Sequence, residues 1–502
     1  MQSPEESLMI QSFNKAGTVR LIFCMPVLAL MFLLQIQEVS GQQTSGKSAP
    51  DILNLSPKDA VDMAIQNNLS LQSAKVTLDN KQRKSSLVWN QFLPTVSVAG
   101  VLNRSNWPST ASGSAAVTTM PLNSFLGLPP TVPDIYGVIP YSVDLPRWNV
   151  VGSVSASLNF SFAIIAGIQA IHSEYHAGLV TFEKAKLQLE RDIRKTYNQI
   201  LLLENTVALQ NEAFANAKKQ AQTAEANYQA GLVPRLTWLQ AQVQVENLKP
   251  AITELENSLK ALKGSFAMTL GLPFDTILNL EPFPAGDYYI PLDLADLISK
   301  ASSGKPDILE LQRNIRFLQI SRKAIAMQLY TPFLNFSWNM TSAFTKDPWK
   351  NNWFSHNDWK GGGNFTITLG MSLNSLLPFT KEGQSLKDMD NTLVSMNIAL
   401  AQVIHGTELE IYTKLNSLEK TQTSAEVQRA AVELAELSYK LTEEAYRAGL
   451  QDFQSVQNSA LALSQARLQL LSQQFNYIND LIDLEYAVGV PFGTMSSLMK
   501  QE

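Results

Sequence analysis

The chain has 502 residues, of which 17% are charged, and its formal net charge is −5 at pH 7. Charged residues are fewer than the quarter or so that is usual in globular proteins, and their slight acidic excess offers no basic surface for nucleic acid. Length alone would predict two or three globular domains.

The N-terminus has the composition of a secretory signal. Lys15 and Arg20 precede an apolar run at residues 21–35, and the small residues that follow fit a cleavage site. The run is short for a membrane span and contains a proline, which argues against the alternative of a retained anchor. The only cysteine, Cys24, lies inside this run. We therefore predict a signal peptide at 1–41 and a mature chain without thiol or disulfide chemistry.

The first repeat, predicted at 52–273, begins with a short helix and two strands. A Ser-Pro pair is typical of a helix start and opens a helix predicted to end at Phe92. Strands are predicted at 95–103 and 149–162, joined by a loop at 104–148 that is rich in Pro, Ser and Thr. A long helix hairpin completes this half.

The second half, predicted at 293–491, has the same order of elements. A linker is predicted before it at 274–292, and a C-terminal tail after it at 492–502. The half itself has a helix that passes through Lys305 and Pro306 to Tyr330, then strands at 333–344 and 364–375 with an aromatic loop at 345–363 between them, and finally a long helix hairpin.

The four strands alternate apolar and uncharged polar residues, as in the sequence NFTITLGMSLN that begins at Asn364. A water-soluble sheet with one buried face is one interpretation. The strand length of about ten residues, the lack of charge and the export signal favour a transmembrane barrel. Four strands are too few to close a barrel, so several chains would have to contribute.

Two stretches without proline predict very long helices. Residues 379–490 read as a helix of about 65 residues, a tight turn and a returning helix of nearly 40. At 1.5 Å per residue the longer helix spans roughly 100 Å. The motifs Y-x-A-G-L and G-x-P recur 218 residues apart, which predicts a two-fold internal repeat. The recurring residues are Tyr228, Ala230, Gly231, Leu232, Gly271 and Pro273, matched by Tyr446, Ala448, Gly449, Leu450, Gly489 and Pro491.

Two motifs that can bind ligands in other proteins are set aside. Residues 41–48 match the P-loop pattern, but a signal sequence precedes them and a proline follows closely, where a P-loop needs a strand and a helix. His172 and His176 lie one helical turn apart, but no third ligand is evident, so a solvated or packed pair is favoured over a metal site. Nothing resembles a catalytic triad. We expect no enzyme activity, no cofactor and no metal.

The repeated order of helix, strand, loop, strand, very long helix, Y-x-A-G-L turn and returning helix, behind a signal peptide, resembles the TolC family of outer-membrane efflux proteins. The resemblance covers roughly residues 52–491. It implies a mainly α fold with a transmembrane β-barrel, in which a homotrimer with four strands per chain closes one 12-stranded barrel. The long antiparallel hairpins would form a helical tube in the periplasm. The implied partners are outer-membrane lipid, a periplasmic adaptor (membrane fusion) protein and an inner-membrane pump.

The resemblance also implies roles for the residues at the two turns. The candidates for adaptor contact are Tyr228, Gly231, Leu232, Tyr446, Gly449 and Leu450. The candidates for the gate are Thr237, Trp238, Gln451, Asp452, Phe453, Ser455 and Asn458. The tyrosine of the family's gate is kept as Tyr446, whereas its charged partners are replaced by neutral residues here. We expect neutral hydrogen bonds and packing to hold this gate, in place of an acidic ring. Pro250 is expected to kink or interrupt the helix after the first turn.

The leading hypothesis is a passive trimeric duct: the outer-membrane channel component of a multi-part efflux or type I secretion system. A non-channel periplasmic helical spacer is the alternative. A third hypothesis, an envelope enzyme on a long-helix scaffold, has only the His172 and His176 pair behind it. Drugs, metal ions, polysaccharide and protein remain equally open as the exported substrate.

Overall fold

The structure is a computed structural model. It describes residues 52–104, 110–116, 138–144, 147–282, 292–344, 358–371, 379–448 and 450–495, with a few single positions between 346 and 377. The predicted signal peptide, the P-loop-like residues 41–48 and most of the predicted tail lie outside the described residues.

Short elements open the first half: strand β1 (Ile52–Leu55), helix α1 (Pro57–Asn67), helix α2 (Leu69–Ser86) and a 3-10 turn (Val88–Phe92). The single helix predicted to end at Phe92 is therefore wrong, because Asn68 breaks it. Asn68 has extended backbone angles, and its side-chain oxygen accepts from the N–H of Leu71 at 3.1 Å, so it caps α2. Its amide also donates to the carbonyl of Thr269 at 2.9 Å, which fixes the break against the long hairpin.

Two helix hairpins make up most of the described chain. They are α3 (Ala163–Gln229) with α4 (Arg235–Thr269), and α7 (Lys381–Arg447) with α8 (Phe453–Val488). The two longer helices have 67 residues each and so span roughly 100 Å. The fold is mainly helical, as predicted. None of the described helices is both long and apolar enough to cross a membrane.

Helix α4 continues through Pro250 without interruption. A proline inside a helix removes one hydrogen bond, but Pro250 is exposed, and Val245 and Ile252 anchor the helix on either side with buried side chains. The expected interruption is therefore wrong.

The second half opens with helix α5 (Leu294–Gly304) and helix α6 (Pro306–Tyr330). The structure again has two helices where one was predicted. Lys305 has extended backbone angles, because the residue before a proline is disfavoured in the helical region. Its ammonium group is buried and lies 2.5 Å from a carboxylate oxygen of Glu410.

A four-stranded antiparallel sheet has the order β2-β5-β7-β8. Its strands are β2 (Thr95–Arg104), β5 (Trp148–Ser161), β7 (Phe333–Phe344) and β8 (Trp359–Gly370). Each half of the chain supplies one inner and one edge strand. Strands β3 (Thr110–Ala116) and β4 (Val138–Asp144) form a separate hairpin.

Several sequence-based boundaries are corrected here. Strand β8 begins at Trp359, before the predicted 364, because the backbone of the glycines at 361–363 pairs with β7 although they lack an alternating pattern. It ends at Gly370, before the predicted 375, because Gly370 pairs with Phe333, where β7 begins. The hairpin β3–β4 lies in what was predicted as a loop at 104–148. Strand β6 (Ile277–Leu280) lies in the predicted linker and pairs in parallel with β1.

Each half has its own core where the short helix packs on the long hairpin. In the first half, Tyr197 is buried beside Phe266, and its hydroxyl donates to the carbonyls of Leu55 and Glu281 at 2.9 and 2.8 Å. In the second half, Ile411 and Leu484 pack with Leu297 and neighbouring apolar side chains. The hairpins are therefore anchored at the end that lies far from their turns.

Candidate functional site at the two helix turns

The turn between α3 and α4 has a Schellman-type cap. The N–H of Leu232 donates to the carbonyl of Asn227 at 2.8 Å, and that of Gly231 to Tyr228 at 2.9 Å. Gly231 has a φ of 76°, in the left-handed region that favours glycine. No heavy atom lies within 4 Å of the place where its Cβ would be, so glycine serves backbone conformation here. Leu232 is 74% exposed.

The turn between α7 and α8 repeats this hydrogen bond. The N–H of Leu450 donates to the carbonyl of Ala445 at 2.9 Å, and the side chain of Leu450 is 80% exposed. Gly449 lies outside the described residues. Asp452 caps α8 by accepting from the N–H of Ser455 at 2.8 Å. Hydrogen bonds from the side chain and backbone of Ser455 lower the pKa of Asp452.

An apolar cluster, here called the tip cluster, joins the second turn to the first hairpin. It consists of Phe453, Tyr446, Ala221, Ala224 and Ala241. Phe453 is only 6% exposed, and its ring lies edge-on to that of Tyr446 with centroids 6.1 Å apart. The buried hydroxyl of Tyr446 has no hydrogen-bond partner among the described residues. Tyr446 therefore contributes here by packing.

The remaining gate candidates are separate from the tip cluster. Trp238 stacks on Tyr228 within the first hairpin, with ring centroids 5.5 Å apart and an angle of 5° between the planes. Thr237 and Ser455 are half-buried, and Gln451 is exposed. Asn458, also exposed, accepts from the amide of Gln454 at 3.1 Å.

Sequence reasoning missed the polar contacts between the two hairpins. The amide of Gln457 donates to Gln244 at 2.7 Å, and that of Gln220 donates to the hydroxyl of Tyr439 at 3.2 Å. Farther from the turns, Arg467 of α8 lies 3.0 Å from Glu212 of α3 and 2.6 Å from Glu436 of α7. Glutamines on long helices carry no pattern that distinguishes a bonded one from a solvated one, so no signal in the sequence could have found them.

A second charged network joins the hairpins near their anchored end. Asp483 of α8 lies 3.0 Å from the ammonium group of Lys195 of α3 and 2.8 Å from that of Lys414 of α7. Partial burial raises the pKa of Asp483, but the hydrogen bonds from Lys414 and Lys195 outweigh this effect, so the pKa lies below its usual value. This aspartate is charged at neutral pH and links three long helices.

His172 and His176 are both exposed on α3. The Nδ1 atom of His172 lies 2.6 Å from the hydroxyl oxygen of Ser85, which is buried. Within the described ranges, no group of three His, Cys, Asp or Glu side chains is arranged to hold a metal ion.

The sheet β2-β5-β7-β8 has one apolar and one polar face. In a water-soluble sheet the apolar face would be buried, but here it is exposed. On one face, apolar side chains such as Val98 and Phe365 are largely exposed. On the other face, polar side chains bond across strands, as Ser97 does with Ser155 at 2.7 Å. Large exposed apolar surfaces mark interaction sites. Where the last residue of β2 pairs with the first residue of β5, the guanidinium of Arg104 lies 5.4 Å from the centre of the Trp148 ring.

Comparison with known proteins supports the resemblance found in the sequence. Residues 60–263 match the family described as "outer membrane efflux protein". A search of curated proteins gives no match. The match confirms the predicted resemblance to outer-membrane efflux proteins of the TolC type.

Several solved structures have the same fold at low sequence identity. CusC has 14% identity and a TM-score of 0.65, with 91% of this chain and 96% of that chain covered. The Campylobacter jejuni CmeC outer membrane channel has 15% identity and a TM-score of 0.64, with 89% and 88% covered. The Neisseria gonorrhoeae MtrE outer membrane channel, in its open state, has 14% identity and a TM-score of 0.62, with 89% and 94% covered.

Proposed function

We propose that this chain, whose residues 60–263 match the outer membrane efflux protein family, is the outer-membrane channel component of a multi-part efflux or type I secretion system. The observation that carries the proposal is the combination of two parts on one chain. One is an uncharged sheet with an exposed apolar face, and the other is a pair of helix hairpins whose longer helices have 67 residues each.

The sheet is proposed to cross the outer membrane as part of a shared barrel. From Trp148 to Phe160 the strand β5 runs roughly 40 Å, which is about 28 Å across the bilayer when strands tilt by about 45°. That matches a hydrocarbon core of about 30 Å. Within the described ranges, the edge strands β2 and β8 each pair on one side only. Three copies, joined edge to edge, close a barrel of twelve strands without leaving a free edge.

The hairpins are proposed to form the periplasmic tube of the homotrimer. Their matching order and lengths support a two-fold internal repeat of the chain. Leu232 and Leu450 expose apolar side chains at equivalent positions of the two turns, and this repetition supports contact with a partner protein there. We assign this contact to a periplasmic adaptor protein, which connects the duct to an inner-membrane pump that supplies the energy.

The gate at the turns is proposed to be held by packing. Phe453 is buried in the tip cluster, whereas the acid nearest to it, Asp452, only caps its own helix. Neutral hydrogen bonds between Gln457 and Gln244 and between Gln220 and Tyr439 support the same arrangement. The fraction of time that the gate stays closed should therefore depend little on ionic strength.

The alternative of a periplasmic spacer is not favoured, because the family and the similar structures are channel proteins. The same comparison gives no support to an enzyme. We propose that the chain acts without catalysis and without a bound cofactor.

The test is electron microscopy of detergent-purified particles together with conductance in a planar bilayer. We expect a three-fold particle with a barrel and a helical stalk of about 100 Å, and channels that open when the tip is loosened. A compact monomer that purifies without detergent, and gives no conductance, would contradict the proposal.

A further inference from the structure

A cavity of about 330 Å³ lies between the two hairpins, on the side of the tip cluster away from the turns. It is lined by residues of all four long helices. The cavity is partly open at the surface, and its volume lies within the size range of sites for small molecules.

The walls are made of small residues at helical spacing. Ala213 and Ala217 lie one turn apart on α3, and Ala460 and Ser464 lie one turn apart on α8. Such short side chains leave room where longer ones would interdigitate.

Polar contacts at both ends of the cavity fix the distance between its walls. Toward the turns these are the bonds from Gln457 to Gln244 and from Gln220 to Tyr439. Toward the anchored end, Arg467 bridges Glu212 and Glu436. The separation of the walls is thus fixed by contacts on both sides.

The lining also defines the chemistry of an occupant. Leucine side chains provide apolar surface, while the amides of Gln210, Asn216 and Gln465 line the cavity with no hydrogen bond inside the part of the chain that the structure describes. The charge of Arg467 is already neutralised by two carboxylates, so an anion gains little there.

We propose that this cavity is a binding site for an uncharged amphiphile, with an apolar body and a group that donates a hydrogen bond to the amides of the lining. The occupant contacts both hairpins and therefore stabilises their association. If the chain is the duct proposed above, the same occupant opposes separation of the hairpins at the tip. The binding site itself does not depend on that function.

The test uses the uncharged fluorescent amine N-phenyl-1-naphthylamine with the purified full chain in amphipol. We expect saturable binding at one site per chain and a rise in the denaturation midpoint on binding. Ala217→Phe fills the cavity and should weaken binding at least ten-fold. Ser464→Leu fills it from the opposite wall and should do the same if the first variant fails to fold.

The matched control is Ala435→Phe, which lies at the corresponding place on α7 but does not line the cavity. It should bind the probe as the unmodified chain does. Gln465→Leu keeps the volume and removes an amide, and should weaken binding by about 2- to 10-fold. Equal binding by folded Ala217→Phe and Ala435→Phe would overturn the site, whereas the loss of conductance alone would bear only on the proposed duct.

Discussion

Gly271 and Gly489 end the returning helices of the two hairpins, and each lies against the end of a short helix. Both have a positive φ, 77° and 76°. A Cβ at Gly489 would lie 2.5 Å from the carbonyl oxygen of Gly304, and one at Gly271 would lie 2.8 Å from the carbonyl oxygen of Asn67. Glycine is needed here for both conformation and space, which explains the glycine of the G-x-P motif in each half.

Gly489→Ala and Gly271→Ala are therefore expected to destabilise the chain. A left-handed conformation costs an alanine about 1–2 kcal/mol, and the close backbone contact adds about 1–3 kcal/mol. Gly231→Ala is the matched control, because Gly231 has the same φ but open space around it. Denaturation midpoints in detergent would measure the difference. Equal losses at all three glycines would contradict the role of close packing.

Asp483 is expected to make stability depend on pH. Its folded-state pKa lies below the usual value, so its contribution is present above the unfolded-state pKa of about 3.9 and is lost as pH falls further, through the folded-state pKa. Asp483→Asn should cost about 1–3 kcal/mol at pH 7, toward the lower value because both lysines are partly exposed.

The measurement compares the denaturation midpoints of the unmodified chain and of Asp483→Asn, at pH 7 and below about pH 3.9. The difference between them should shrink in acid. Asp296→Asn is the control, because Asp296 pairs only with Lys300 on the exposed surface of α5, where such pairs contribute about 0.3–0.5 kcal/mol. A difference that persists unchanged in acid would show that the carboxylate charge is not involved.

At the scale of elements, the sequence predicted what depends on long patterns. The absence of proline and the turn motif were enough to predict hairpins of about the observed length. The breaks at Asn68 and Lys305 depend on single residues, and the short strand β6 depends on a partner strand more than 200 residues away. Local patterns do not contain such pairings. The turn motif also predicted the two turns, whereas the contacts between the hairpins depend on how distant helices pack and leave no local pattern.

The tip cluster gives a prediction about the α7–α8 turn as an element. Phe453→Ala removes the large buried side chain of the tip cluster, which includes Ala224 and Ala241 of the first hairpin, and buried Phe→Ala changes cost about 3–5 kcal/mol. We expect more frequent opening in single-channel recordings. Leu441→Ala, at an exposed position of α7, should behave like the unmodified chain.

Tyr446→Phe separates packing from hydrogen bonding in the same cluster. Because the Tyr446 hydroxyl has no partner in the described ranges, its removal should leave opening unchanged or make it slightly rarer. More frequent opening in this variant would mean that the hydroxyl bonds to a neighbouring chain of the assembly, and the packing gate would then be insufficient.

At the scale of the whole molecule, the exposed apolar face of the sheet needs a cover. In a water-soluble spacer this face would have to be buried against protein, yet its side chains are exposed in the single chain. The polar face is already occupied by hydrogen bonds across strands, such as that between Ser97 and Ser155. Lipid against the apolar face and water against the polar face account for both observations.

A one-residue step along β2 tests this assignment, because it moves a side chain to the opposite face. Val98→Arg places a charge against the proposed lipid, at a cost of about 2–4 kcal/mol near the middle of the bilayer. Ala99→Arg places the same charge toward the proposed water-filled interior. We expect Val98→Arg to reduce the fraction of protein that reaches the outer membrane as trimer, and Ala99→Arg to leave it largely intact. The reverse order would place lipid on the polar face. Equal tolerance of both would mean that neither face meets lipid, because a charge placed against lipid is costly.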